Sequence, residues 1–254
     1  MRVSTLLVIG AAVCVVAQSA RPGAGQRIAT ATRSGANTGE SKDKFTFFLF
    51  WKENDAATQK LTDDLRRAVA ERSSRAEWTA VNIRDPANRA IVDRYQVHRV
   101  PTPLVLAVAP NGAITGAFPR QLSAKAVDYA LVTPAMAAAT KALQDKKIVL
   151  VHVKADPRTP LPAGAVDLMA DPTFQARTTS VDVLLGDTQE SRFLSDMKID
   201  AASVTGSLLV VFAPPGADVG KFPATATKDQ LAAALHAAGK CCDDPNCKHN
   251  KKGQ

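Results

Sequence analysis

Three thiols and an imidazole fall close together near the C-terminus: Cys241, Cys242, Cys247 and His249, in the string Cys-Cys-Asp-Asp-Pro-Asn-Cys-Lys-His. Thiolates and imidazole are soft ligands that suit zinc or copper(I). Asp-Asp-Pro-Asn is strong turn chemistry and can fold the chain back, bringing Cys247 near Cys241 or Cys242. Two features count against a metal. Neighbouring Cys241 and Cys242 cannot easily both ligate one tetrahedral ion, and the paired spacing of a structural zinc finger is missing. In an oxidising compartment the three thiols would instead give one bridge and one spare, and the spare could link two chains as a disulfide-bonded homodimer. The residues leave open a disulfide or crosslink, a zinc or copper(I) site, and no defined role.

Little other chemistry stands out. No cysteine occurs between Cys14 and Cys241. His98 is expected on a loop, His152 in a strand as a satisfied or half-buried histidine, and His236 on the last helix, within sequence reach of the cysteine tail. There is no Ser/His/Asp set, carboxylate pair, P-loop or dinucleotide-binding glycine pattern. The formal charge is +8, but six of those surplus charges sit at Arg2 and in segments 21–44 and 240–254. The part between carries too small a basic excess for a duplex-binding face, so nucleic acid is not an expected partner.

The chain has 254 residues, 46% of them hydrophobic and 22% charged, which is ordinary globular composition. Residues 1–20 read as a signal peptide: Arg2, an apolar core from Leu6 to Val16, then Ala17, Gln18, Ser19 and Ala20 at a plausible cut. Export to a periplasmic or secreted location follows as an expectation. The apolar run is too short for an integral membrane span. Lipid attachment at Cys14 is not expected, because Val13 stands where a small residue is usual. Residues 21–41, rich in Gly, Ala, Ser, Thr and charge, read as a flexible tether.

The remainder holds an internal repeat. Residues 109–119 (Ala-Pro-Asn-Gly-Ala-Ile-Thr-Gly-Ala-Phe-Pro) and 213–223 (Ala-Pro-Pro-Gly-Ala-Asp-Val-Gly-Lys-Phe-Pro) share Ala, Pro, Gly, Ala, Gly, Phe and Pro at one constant offset. So long a period means two copies of a domain. Each string follows a short apolar run and contains a Pro/Gly turn, the signal of a β-hairpin. In the first copy, Phe45–Phe50 predicts a strand buried on both faces. Asn54 or Asp55 can cap a helix whose apolar face is Ala57, Leu61, Leu65 and Val69. A strand at Trp78–Ile83, a helix from Pro86 to Tyr95, the hairpin and a closing helix at Ala126–Leu131 complete a βαβαββα order. The second copy repeats it: strand Ile148–Val153, a helix within Ala163–Arg177, strand Val181–Leu185, helix Gln189–Met197, hairpin, and helix Lys228–Ala238. Ala135–Leu143 reads as a helical connector. The resulting division is domain 1 at 42–133, connector at 134–146, domain 2 at 147–239 and a Cys/Lys-rich tail at 240–254.

This order resembles the thioredoxin family, and specific residues carry the likeness. Phe50-Trp51-Lys52-Glu53 resembles the end of the family's first core strand. Val100-Pro101-Thr102 resembles the Ile/Val-Pro-Thr step that carries its cis-proline, and Asn111-Gly112 resembles the turn of its terminal hairpin. The resemblance implies an α/β fold of two tandem thioredoxin-like domains, each a central mixed sheet flanked by helices. The chain departs from the family where it matters most. The family's dithiol chemistry needs two cysteines at the start of the helix after the first core strand, where the helix N-terminus stabilises a thiolate. Asp55-Ala56-Ala57-Thr58 stands there. The resemblance therefore implies a non-redox, non-catalytic module for protein or peptide interaction, with an extended peptide or an envelope protein as partner. Trp51, Asp55, Thr58 and Pro101 are its candidate peptide-binding residues in the first copy. The second copy has Val204-Thr205-Gly206 in place of the proline step, so the first copy is the expected binder.

Overall fold

In the computed structural model, residues 43–239 are described. The signal peptide read at 1–20, the tether at 21–41, Cys14, and the tail at 240–254 with Cys241, Cys242, Cys247 and His249 lie outside them. The described chain divides between Val132 and Thr133 into two compact units.

The first unit runs β1 (Phe45–Trp51), α1 (Ala56–Ala70), β2 (Ala76–Asn82), α2 (Arg89–Arg94), β3 (Leu104–Val108), β4 (Ile114–Pro119) and α3 (Ala124–Ala130). Its sheet has the order β2-β1-β3-β4. β1 pairs parallel with β2 and antiparallel with β3, so Phe48 lies between Thr79 and Leu106. Six of the seven residues of β1 are buried, as a central strand covered on both faces requires. One face buries Phe48, Phe50, Val81, Leu104 and Leu106 under Val92 and Tyr95 at α2. The rings of Phe48, Phe50 and Tyr95 fill that layer at centroid separations of 5.6–6.1 Å. The opposite face, with Phe47 and Leu49, takes α1, whose Leu61, Leu65, Ala68 and Val69 form a buried stripe.

The second unit runs α4 (Pro134–Gln144), β5 (Ile148–Lys154), α5 (Ala163–Ala170), β6 (Thr178–Leu184), α6 (Ser191–Asp196), β7 (Ser207–Ala213), β8 (Ala217–Pro223) and α7 (Lys228–Ala237). Its sheet order, β6-β5-β7-β8, is the first sheet's order again. One face buries Val149, Val151, Val153, Val183, Val210 and Phe212 against α4 and α6. The other buries Ile148, Leu150, Leu209 and Val211 against Ala165 and Leu168 of α5 and Leu231 and Leu235 of α7. The α/β class and the tandem thioredoxin-like arrangement read from the sequence are what the two sheets show.

The repeat survives to atomic detail. Both hairpins bulge at equivalent places, Ala107/Val108 and Val211/Phe212. Both turns close through a glycine N–H: Gly112 to the Ala109 carbonyl and Gly216 to the Ala213 carbonyl, each at 2.8 Å. The shared Gly-x-Phe has a packing reason. A Cβ on Gly116 would lie 2.5 Å from the Phe118 ring, and one on Gly220 would lie 3.4 Å from the Phe222 ring. Each phenylalanine folds back over the glycine two residues before it.

Several expected boundaries move. The helix read from Pro86 begins as a 3-10 turn, Pro86–Asn88, and only then becomes α2. The second copy's first helix stops at Ala170, because Pro172 follows; a separate 3-10 turn covers Gln175–Arg177. The helix read as a connector packs into the second unit. Ala135, Ala139 and Ala142 are buried in its core. The buried Glu190 also accepts a 2.8 Å hydrogen bond from Ala135 N–H at the first turn of α4.

Candidate functional site

In the first unit, the residues singled out by sequence gather at one end of the sheet. Trp51 ends β1, and α1 begins five residues later. Phe50 pairs with Leu104, so the residues just before β3 reach the same end. The side chains there have local tasks. Asp55 caps α1, accepting the Thr58 N–H at 2.8 Å, and this donation holds its carboxyl below the usual carboxylate range. Thr58 is buried, and its hydroxyl donates to the Glu53 carbonyl at 2.8 Å. Glu53 pairs with Arg84 at 2.9 Å. Asp55 and Thr58 are thus brought together, but each spends its polar atoms on the turn into α1.

Pro101 does not hold the position read for it. The cis peptide bond of this unit is Thr102–Pro103. Pro101 is exposed, whereas Pro103 is buried and leads directly into β3 at Leu104. The proline that abuts β1 is the second of the Val-Pro-Thr-Pro string. At the repeat offset, Ser207 occupies its place, directly before Leu208 of β7.

That same end of the second unit carries a groove that sequence reading missed. An open cavity of about 540 Å³ is lined by Thr159, Pro160, Leu161, Pro162, Val166 and Ser207, among others. It lies between the loop from β5 to α5, the start of α5 and the entry to β7. Its walls are mostly aliphatic, and Val166 keeps 48% of its surface exposed. Three prolines in residues 157–162 restrict the loop and remove backbone donors from it; it turns at 156–159, where Thr159 N–H donates to the Asp156 carbonyl. Asp167 is the ionisable group among the lining residues. The wall is tied down from below: the buried Lys154 ammonium lies 3.5 Å from the Thr159 carbonyl and 2.7 Å from Asp182. No thiol stands at the start of α5, where Ala163 and Gly164 open the helix. The signal available in the sequence was the apolar Pro-Leu-Pro string just ahead of a helix bearing an outward valine.

His98 is exposed within a 3-10 turn, Val97–Arg99. His152 is fully buried in β5. Among the described residues, no group of three or more His, Cys, Asp or Glu side chains is placed to hold a metal ion. No described helix is long and apolar enough to cross a membrane.

No family model matches the chain, and no curated protein matches its sequence. Solved structures with similarity include human ERp44 (14% identity, TM-score 0.37, covering 87% of this chain and 60% of that one). The first two thioredoxin domains of Saccharomyces cerevisiae Eps1p align at 9% identity and TM-score 0.31, covering 82% of this chain and 99% of theirs. The N-terminal domain of the alkylhydroperoxide reductase AhpF from Enterococcus faecalis aligns at 12% and 0.27, covering 76% and 90%. The chain spans less than two thirds of the length of ERp44. Two sheets of one strand order, each parallel at its first pair and antiparallel beyond it, and a hairpin repeated bulge for bulge give the described residues two tandem domains of thioredoxin-like fold.

Proposed function

We propose that this chain is an exported, non-redox interaction module that binds an extended, apolar polypeptide segment at the groove of its second domain. The observation that carries this reading is the pairing of an open aliphatic groove with a cysteine-free fold. The loop-to-helix end of the second sheet holds Pro160, Leu161, Pro162 and Val166, and no thiol occurs between Cys14 and Cys241. Binding without chemistry is what such a surface supports. The leader pattern of residues 1–20 supports export. The first-domain set of Trp51, Asp55, Thr58 and Pro101 is the weaker candidate, because capping α1 already occupies Asp55 and Thr58.

The test uses a reduced and alkylated unfolded polypeptide, fluorescently labelled, and the full chain. Saturable binding is expected, weakened about tenfold or more by Val166→Asp, which places a charge on the groove wall without touching the core. The triple variant Cys241→Ser, Cys242→Ser, Cys247→Ser keeps that binding and shows no disulfide reductase activity. Absence of saturable binding, or equal binding by Val166→Asp, overturns the groove. Reductase activity in the triple variant overturns the non-redox reading.

A second reading rests on the tail alone. Cys241, Cys242, Cys247 and His249 supply ligands for zinc or copper(I), or thiols for disulfide exchange. Stoichiometric metal in the reduced protein, lost on removing residues 240–254, favours the metal site. Dimers that collapse on reduction favour a crosslink.

A further inference from the structure

Beneath the groove, the second domain buries two ionisable side chains, His152 and Lys154, against a half-exposed carboxylate, Asp182, at a register where the first domain has none. His152 pairs with Leu209 across β5 and β7, as Leu49 pairs with Val105 across β1 and β3. In the parallel direction His152 meets Asp182, where Leu49 meets Ala80. Lys154 stands one register step on, where the first domain has Trp51. The His152 side chain is 1% exposed, that of Lys154 9% and that of Asp182 58%. Asp182 serves both cations: one oxygen lies 3.2 Å from His152 Nδ1, the other 2.7 Å from Lys154 Nζ. With Nδ1 facing a carboxylate, the neutral ring carries its proton there. Its Nε2 then has no hydrogen-bond partner and no contact with solvent.

We propose that His152 is an acid-sensitive latch: protonation of its buried imidazole destabilises the second domain and loosens the groove wall that Lys154 supports. While the imidazole is neutral, Lys154 and Asp182 balance. A second proton on the ring would put an N–H with no acceptor among apolar neighbours and leave two cations sharing one carboxylate. The elements packed on this face of β5 offer nothing to compensate. α5 presents Ala165 and Leu168, and α7 presents Leu231 and Leu235. β7 presents Leu209. In the adjoining loop, Asp156 is turned to Arg158 at 2.9 Å, though Lys154 also acts on it. Burial pushes the imidazole below its ordinary value of 6.5; Asp182 opposes this, and Lys154 reinforces it. Asp182 is held below the usual carboxylate range: burial alone would raise it, but the Lys154 hydrogen bond and charge prevail.

The sign follows. A base whose folded-state value is depressed contributes its full stability above the unfolded value and loses it as the pH falls. The contribution of His152 is therefore fully present above pH 6.5 and is lost as the pH falls below it, tenfold in folding equilibrium for each unit by which its value is depressed. This goes beyond the binding reading and does not depend on what the groove holds.

The test is urea unfolding of the full chain, followed separately for each domain by backbone amide resonances. Both tryptophans, Trp51 and Trp78, lie in the first domain, so indole emission reports the wrong half. Between about pH 7.5 and about pH 5 the folding equilibrium of the second domain should fall severalfold more than that of the first. His152→Leu, the residue of the first domain at this register, should remove the fall. Equal slopes in wild type and His152→Leu, or no slope in either, overturn the proposal. A side-chain NMR titration decides it even if the variant does not fold. A His152 ring still neutral while exposed histidines have titrated supports the latch; a ring that titrates with them overturns it.

Discussion

The two domains share a strand order and differ in how one sheet face is closed. In the second, α4 lies over Val149, Val151 and Phe212, with Val181 partly buried beside them. At the same register the first domain has Thr46, Phe48, Val108 and Thr79. Thr46 donates its hydroxyl to Glu77 at 3.2 Å, and Thr79 is exposed. The loops after the second strands diverge in step. Asp85 and Asp187 cap their 3-10 turns alike, accepting from Ala87 and Gln189 N–H groups at 2.9 and 2.8 Å. Three residues beyond each aspartate, Asn88 bonds back to the Asn82 carbonyl at 3.0 Å, whereas Glu190 reaches out to the first turn of α4. Where a helix covers the sheet, the strands are aliphatic and a carboxylate receives the helix start. Where the described residues supply no such helix, two of the four strand positions are threonine and the loop satisfies itself. One fold tolerates both, because the period of two lets one face change without disturbing the other.

The helix contacts sharpen this contrast, and they carry the largest expected effect. α5 crosses α7 backbone to backbone: a Cβ on Gly164 would stand 2.1 Å from the Ala226 carbonyl oxygen and 2.8 Å from Thr227. Gly164→Val should cost about 3 kcal/mol or more, since the obstacle is backbone that cannot rotate away. In the first domain the end of α1 meets α3 through a two-pronged ion pair between side chains, Arg72 to Asp128, whose carboxylate is half exposed. Arg72→Ala should cost only about 1 kcal/mol. Chemical denaturation of each variant, read domain by domain, checks the pair; equal costs would mean that the two helix contacts are built alike.

The next effect is the loop pair. Glu190→Ala leaves the Ala135 N–H buried without an acceptor and should cost about 2 kcal/mol. Asn88→Ala loses a half-buried neutral bond and should cost about 1 kcal/mol. Glu190→Gln keeps an acceptor and should recover part of the difference. Amide exchange in α4 separates the cases: protection at Ala135 and Met136 should drop in Glu190→Ala and persist in Glu190→Gln.

Much of this was legible in the residues, and the failures have physical causes. The hairpin repeat was readable because Gly-x-Phe and the turn glycine answer steric demands that few other residues meet. The helix caps were readable because a side-chain acceptor must stand just ahead of the helix; the sequence left Asn54 and Asp55 as equals, and Asp55 is the one that accepts. α4 reads in the sequence as a helical connector, and its packing is not legible there, because its buried face is alanine: Ala135, Ala139 and Ala142 give little hydrophobic period, yet their small size is what lets the helix pack closely on the sheet. The Val-Pro-Thr motif points to Pro101, whereas the cis bond lies at Pro103, directly before the strand at Leu104. The groove escaped because Pro160, Leu161 and Pro162 show no periodicity; a surface made by a loop, a helix start and a strand entry exists only after folding.

The face contrast itself can be broken by exchange. Val149 is fully buried beneath α4, so Val149→Thr places a hydroxyl among aliphatic groups and should cost about 1–2 kcal/mol. The reverse change, Thr46→Val, loses one hydroxyl bond to a partly exposed Glu77, for which water can substitute, and should fall within about 0.5 kcal/mol of wild type. A large cost for Thr46→Val would show that the first domain's face is as dry as the second's.

The smallest effect concerns the acid side of the first domain. The carboxyl of Asp55 is held low by the Thr58 N–H, so its contribution is present above its ordinary value of 3.8 and is lost as the pH falls through its folded value. Asp55→Asn keeps an oxygen able to cap α1 but has no proton to gain. Its first domain should therefore lose stability less steeply than wild type below about pH 4, while the two behave alike near neutrality. Identical acid profiles would mean that the cap works by geometry alone. That outcome would assign the acid response of this domain to other lowered carboxylates, with Asp64 and Asp128 next to be exchanged.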